Sequence, residues 1–136
     1  MADRITLEVA TPSRLVIAEQ VDEVVVPGIE GYFGVLPGHA PLLSTLGIGE
    51  LMYRIGRDER HAAVSGGFCE VRNDKVIVLA DSAELPAEID RARAERARER
   101  AEQRLSGRSS EEVDYARATA ALARALIRLQ VGSRTQ

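Results

Sequence analysis

Aromatic residues make up only 4% of this 136-residue chain, and tryptophan is absent. Any core must therefore be built from aliphatic side chains, and the 45% of hydrophobic residues suffices for one ordinary domain or two very small ones. Lysine is nearly missing as well, with Lys75 the single one beside 17 arginines. The formal net charge of −3 gives no general reason to expect nucleic-acid binding. Cys69 is the lone cysteine, which excludes an internal disulfide and fits a reducing compartment. Next to Phe68 in a strand-like run, it reads as a core residue. Two distant histidines, His39 and His61, and one thiol do not make a metal site. No apolar run approaches the ~18 residues needed to cross a bilayer, and the N-terminal residues lack the apolar centre of a signal peptide. The chain is expected to be cytoplasmic, with any membrane connection made through a partner. The Gly-x-x-x-x-Gly-Lys-Ser/Thr phosphate loop is missing, and Ser65-Gly66-Gly67 lacks the flanks of a nucleophile elbow. No catalytic constellation remains.

What is present changes character near residue 84. Before it, hydrophobicity alternates with period two, as in Ile5, Leu7 and Val9 against Thr6 and Glu8. Strand-like runs follow at 15–18, 22–26, 31–36, 50–55, 60–65, 68–72 and 75–80, separated by turn chemistry such as Pro27-Gly28 and Asn73-Asp74. Nine of the eleven glycines lie between residues 28 and 67. Short strands at this spacing predict a β-sandwich or flattened barrel over 1–84.

After it the period is helical. Pro86 suits a first turn, and Glu88 and Asp90 complement a helix N-terminus. Ala94, Ala97, Ala101 and Leu105 form one apolar stripe, while Glu88/Arg91, Asp90/Arg93 and Glu95/Arg98 are spaced for side-chain pairs. Gly107 supplies a left-handed cap, and Ser109-Ser110-Glu111-Glu112 reads as a capping box for a second helix. Residues 85–136 are thus predicted to form an antiparallel two-helix hairpin. Its alanine-rich stripes bury little area, so it should be the less stable part, able to detach and to serve as a switch.

Arg93 and Arg100 share a stripe on the first helix, and Arg124 and Arg128 share one on the second. Two readings of these stripes stay open. They converge into a pocket for a polyphosphate, which guanidinium groups bind bidentately, or they form a solvated, salt-bridged face.

The string Gly31-Tyr32-Phe33-Gly34-Val35-Leu36-Pro37-Gly38-His39-Ala40-Pro41-Leu42-Leu43 resembles the signature of the epsilon subunit of bacterial F-type ATP synthase. Val25-Val26-Pro27-Gly28-Ile29-Glu30, Ser65-Gly66-Gly67-Phe68 and Val78-Leu79-Ala80-Asp81 surround it in the order and spacing of that family. The resemblance covers essentially the whole chain. It implies a ten-stranded β-sandwich of two five-stranded sheets followed by a helical hairpin. It also implies a non-catalytic place in the central stalk, beside the gamma subunit and on the membrane c-ring, peripheral to the cytoplasmic face of the bacterial plasma membrane. Such subunits couple proton flow to ATP synthesis. Their helical domain extends toward the alpha/beta catalytic head to inhibit ATP hydrolysis, and in several of them ATP stabilises the folded hairpin.

The family's nucleotide motif matches here at Ile89, Asp90, Arg93 and Ala94, with Glu84 before the first helix and Arg100, Arg124 and Arg128 beyond. By that resemblance the arginines hold phosphates, and Glu84 and Asp90 accept hydrogen bonds or orient them. ATP would be a regulatory ligand, and no cofactor is required. Tyr32 and Phe33, at the end of the sandwich that meets the c-ring, favour apolar burial against a partner. His39 lies near the same contacts, with an interface role and a purely structural one both open.

Overall fold

The alternating segments pair as their hydrophobic parity dictates. The computed structural model describes residues 4–107 and 114–134. Its strands are β1 (Ile5–Ala10), β2 (Leu15–Val21), β3 (Glu23–Gly28), β4 (Gly31–Val35), β5 (Leu42–Thr45), β6 (Ile48–Ile55), β7 (Asp58–Arg72) and β8 (Lys75–Glu84). They hydrogen-bond in the order β2-β1-β8-β7-β6-β3-β4, with β5 also on β7. β1 runs parallel to β8, and the remaining neighbours are antiparallel. Between β7 and β8, Asn73 and Asp74 take positive φ of 52° and 56°, the twist a two-residue hairpin turn requires.

The described residues therefore hold eight strands, and the ten-strand expectation is corrected. Residues 60–65 and 68–72, read as separate strands, are one continuous β7. The stretch 58–65 of β7 pairs with β6, while 68–71 pairs with β5. β8 follows β7 along both stretches. Two bent strands thus serve both layers of the sandwich, and counting each layer by itself counts them twice. The bend falls at Gly66 and Gly67, both at positive φ. β5 was missed because Leu42-Leu43-Ser44-Thr45 follows Pro41 and does not alternate.

The inward side chains form one aliphatic core: Ile5, Leu7, Val9, Val21, Val24, Val26, Leu51, Val64, Val71, Val76 and Val78 are buried, with Cys69 among them. Burial pushes the Cys69 thiol up to about 12. Since the thiolate is the reactive form, native protein is expected to resist alkylation by iodoacetamide at pH 8. Labelling should appear only in denaturant, as followed by mass spectrometry, and rapid native labelling would contradict the burial.

Beyond the sandwich, Pro86–Glu88 form a 3-10 turn, followed by helices α1 (Arg91–Leu105) and α2 (Tyr115–Gly132). Pro86 thus opens the short turn, and α1 begins five residues later. Glu88 does not pair with Arg91. It accepts from Arg14 at 2.8 Å and from the Leu85 N–H at 2.8 Å, closing the turn onto the β1–β2 loop. The hydrogen bond from Arg14 and that from the Leu85 amide hold the Glu88 carboxyl below its usual range. The pairing of Glu95 with Arg98 does form. Gly107 at φ 75° ends α1 as expected. The capping box at 109–112 lies outside the described residues, and α2 is capped by Asp114, whose carboxylate accepts from the Arg117 N–H at 3.1 Å.

The hairpin is antiparallel, because Gly132 at the end of α2 lies against Ile89 and Arg91 at the start of α1. Its buried helical residues are Ala94 and Ala101 on α1 with Ala118, Ala125 and Val131 on α2. A second small cluster of Ala63, Ile89 and Val131, with Ile127 packed on it, joins the hairpin to β7. A buried leucine or isoleucine contributes about 1.5–3 kcal/mol, and a methyl-sized group about 0.8 kcal/mol. The hairpin is therefore held far more weakly than the sandwich is.

Candidate functional site

α2 lies over the sandwich where β6, β7 and β8 meet, and a cleft opens beneath it. Ser65 and Ser82, Glu84 near the end of β8, and Arg124 and Arg128 on α2 line its rim, with Ile48, Ala63, Val64 and Ile127 completing the walls. Four-residue spacing places Arg124 and Arg128 on one flank of α2. Arg128 pairs with Glu84: Nη2 donates to Oε2 at 3.2 Å, and Nε lies 2.7 Å from Oε1. Both side chains are only partly exposed, at 23% and 30%, so this ion pair is better shielded from solvent than a surface one. Among the described residues Arg124 makes no ion pair. The free space in the cleft is about 30 Å³, room for little more than one water. As folded, the Glu84–Arg128 pair closes it.

The other motif residues occupy three different environments. Asp90 is the N-cap of α1, its Oδ1 accepting from the Arg93 N–H at 3.0 Å. The expected pairing of the Asp90 and Arg93 side chains is thereby corrected, since the backbone amide takes the carboxylate, as caps require. Ile89 is buried beside Val131 at the base of the hairpin, and Ala94 is buried on the α1 face. Arg93 and Arg100 are exposed on α1 and do not line the cleft. Of the eight motif positions, the fold brings Glu84, Arg124 and Arg128 into one cleft, and Ile89 and Ala94 hold the helices that frame it.

A second charged cluster lies on β6. Glu50 accepts from Arg134 Nη2 at 2.8 Å and Nε at 3.0 Å, and from Gln130 Nε2 at 3.1 Å, and His61 Nδ1 lies 3.5 Å away. Burial opposes charge on Glu50, but the hydrogen bonds from Arg134 and Gln130 outweigh it and hold the carboxyl below its usual range. Sequence reasoning missed this cluster. An isolated acid on a strand carries no spacing signal that links it to residues 80 or more positions away.

At the β3–β4 end of the sandwich, Tyr32 is 57% exposed, and its hydroxyl accepts from the Glu50 N–H at 3.0 Å, which sets it beside the charged cluster on β6. Gly49 makes room for it, since a Cβ there would lie 2.5 Å from the Tyr32 hydroxyl. Phe33 packs partly against the core. His39 has Nδ1 2.6 Å from the Ala40 carbonyl, and the adjacent Gly38 N–H donates to Asp74 at 2.6 Å. Ile29 and Leu43 are also exposed around this end, at 66% and 70%.

One sheet face carries an exposed apolar row between charged flanks such as Glu70, Arg72 and Lys75. In register across it run Thr45, Phe68, Leu79, Ala10 and Leu15. Phe68, Leu79 and Leu15 are each more than half exposed. The signal for this face is in the sequence: Val76-Ile77-Val78-Leu79-Ala80 is continuously apolar where a half-exposed strand would alternate.

Two family models cover the chain. The beta-sandwich domain of the ATP synthase delta/epsilon chain matches residues 4–86, and the long alpha-helix domain of the same chain matches residues 87–132. The chain belongs to the ATP synthase epsilon-chain family. An ATP synthase epsilon chain from Nitratidesulfovibrio vulgaris is 54% identical over 131 residues, covering 96% of this chain and 97% of that one. Another, from Syntrophobacter fumaroxidans, is 52% identical over 135 residues, covering 99% and 100%. A solved mitochondrial ATP synthase from Euglena gracilis contains a chain of the same fold, with TM-score 0.80 and 24% identity over 97% of this chain and 82% of that one. As an epsilon chain it is a structural and regulatory subunit of F-type ATP synthase and does no catalysis itself. No helix among the described residues is long and apolar enough to cross a membrane.

Proposed function

We propose that this epsilon chain joins the rotor by seating the sheet face with the exposed apolar row on the gamma subunit and its β3–β4 end on the c-ring. In this way it carries torque between the membrane sector and the catalytic head, peripheral to the cytoplasmic face of the plasma membrane. The observation that carries the reading is the apolar row Leu15–Leu79–Phe68, exposed in the isolated chain. Contiguous exposed apolar surface of this kind marks a protein interface. The end bearing Ile29, Tyr32 and Leu43 is the second apolar surface, and His39, in the loop before β5, is held by a contact within that loop.

The test is binding of the full chain to purified gamma subunit. Phe68→Glu combined with Leu79→Glu is expected to weaken it by about 100-fold or more, because each change buries a charge at the centre of the contact. Both residues point to solvent in the free chain, so its circular dichroism should not change. Leu36→Glu, on an exposed residue away from the row, should bind normally. Normal binding by the double variant would remove this face from the rotor contact.

The hairpin is the regulatory part of the same proposal. Docked, it places Arg124 and Arg128 over Glu84. Extended, it reaches the alpha/beta head and inhibits ATP hydrolysis. ATP favours the docked form by taking Arg124 and Arg128 as phosphate ligands, with the cleft opening as Arg128 leaves Glu84. The weak alanine-rich packing and the small cluster at Ala63, Ile89 and Val131 support a low cost of release.

A further inference from the structure

We propose that Glu50 is a latch residue: its carboxylate captures the C-terminal end of α2 through Arg134 and Gln130 and sets how often the hairpin leaves the sandwich. The Glu50 side chain is 11% exposed, whereas Arg134 is 41% exposed. Its two oxygens collect donors from Arg134 just past α2 and Gln130 on its last turn, with His61 Nδ1 on β7 3.5 Å away. The Arg134 contact is two-pronged, one guanidinium nitrogen to each oxygen at 2.8 and 3.0 Å. Such paired charge-assisted bonds are among the strongest polar contacts a surface element makes. The acceptor is pre-set before the helix arrives. Tyr32 receives the Glu50 N–H, and β6 holds the residue between β3 and β7.

Geometry makes the latch specific to docking. Both side-chain donors to Glu50 lie on the helical hairpin, so when α2 lifts away the carboxylate loses Arg134 and Gln130 together. Arg134 lies six residues beyond Arg128, about 9 Å along the helix. The second carboxylate clamp, Glu84 with Arg128, is therefore a separate point of attachment on a different strand. The Glu50 latch acts at the helix end, where Arg134 also complements the carbonyl pole of α2. It needs no nucleotide in the cleft. With Arg128 drawn away from Glu84, the Glu50 latch still holds the end of the helix over the sandwich.

Hydrogen exchange of the full chain, read by mass spectrometry, tests this with Glu50→Gln, Arg134→Gln and the double variant. Each single change is expected to speed amide exchange in residues 121–134 by about tenfold or more, the effect of losing one charge-assisted pair. Peptides from β1, β7 and β8 should exchange as in the wild type. The double variant should exchange no faster than the faster single, because both changes break the same contact. Unchanged α2 exchange in both singles overturns the proposal, and so does a double variant whose effect is the sum of two independent ones. Should Glu50→Gln also loosen the strands, Arg134→Gln decides alone, since Arg134 lies outside the sandwich and its loss leaves the strands intact.

Discussion

Replacing Gly67 with alanine is expected to lower the unfolding free energy by about 3 kcal/mol or more, among the larger costs a single methyl can impose. Gly67 adopts φ +110°, and a Cβ there would stand 2.0 Å from the Leu79 carbonyl oxygen and 2.8 Å from the Ala80 Cα. Both obstacles are backbone, so no side chain can swing aside. The neighbouring strand must move, and that strand is β8, paired at this point through Gly67 and Ala80. Because β7 passes here from one layer of the sandwich to the other, the damage reaches both sheets. Gly34→Ala is the control: nothing lies within 4 Å of its Cβ position and its φ is not positive, so its effect should stay within about 0.5 kcal/mol. Urea unfolding followed by circular dichroism reads both. Similar midpoints for the two variants would mean that β7 bends without needing a glycine at 67.

The second large effect concerns nucleotide. In calorimetric titrations of the full chain with ATP, Arg124→Ala is expected to weaken binding by about tenfold and Arg128→Ala by about 10- to 100-fold. These are the losses of one charge-assisted contact to phosphate. The larger figure belongs to Arg128 because without its guanidinium nothing screens the Glu84 carboxylate from the phosphates. Among the described residues Arg124 makes no ion pair, so its loss reports on ligand contact without disturbing the clamp. Arg93→Ala separates two geometries. Arg93 is exposed on α1 and does not line the cleft. A small effect means that the cleft under α2 binds by itself, whereas a tenfold loss means that α1 turns its arginines inward when ATP arrives. Absence of binding by the wild type up to millimolar ATP would leave Glu84–Arg128 as a structural clamp and would not touch the rotor assignment.

Local rules were enough for most of the strands and both helices. Alternation placed Ile5, Leu7 and Val9 inward, and all three are fully buried. The left-handed cap at Gly107 was legible because only backbone geometry is involved. Local rules failed where two demands competed for one group. Asp90 was expected to face the Arg93 side chain, yet unpaired amides at a helix start are stronger claimants than a solvated guanidinium. Glu88 went to Arg14, 74 residues away, for a reason no helical spacing contains: the fold brings the β1–β2 loop to the 3-10 turn.

The candidate site divides in the same manner. Glu84, Arg124 and Arg128 were named from the sequence, and the fold gathers them into one cleft. Arg93 and Arg100 were named with them, but the side of α1 that carries them depends on which face the alanines bury. Glu50, Gln130 and Arg134 were not named at all. By itself the amino-acid sequence determined the change from strand to helix near residue 84, the parity of the aliphatic core and the family. These follow from periodicity and ordered motifs, which are properties of neighbours along the chain. Only the tertiary structure decided that β7 bends through both layers, that Arg128 closes the cleft on Glu84, and that Glu50 holds the end of α2. Those are contacts between residues 44 to 84 positions apart, or between layers. Their energy depends on distance in space, which no pattern of spacing along the chain encodes.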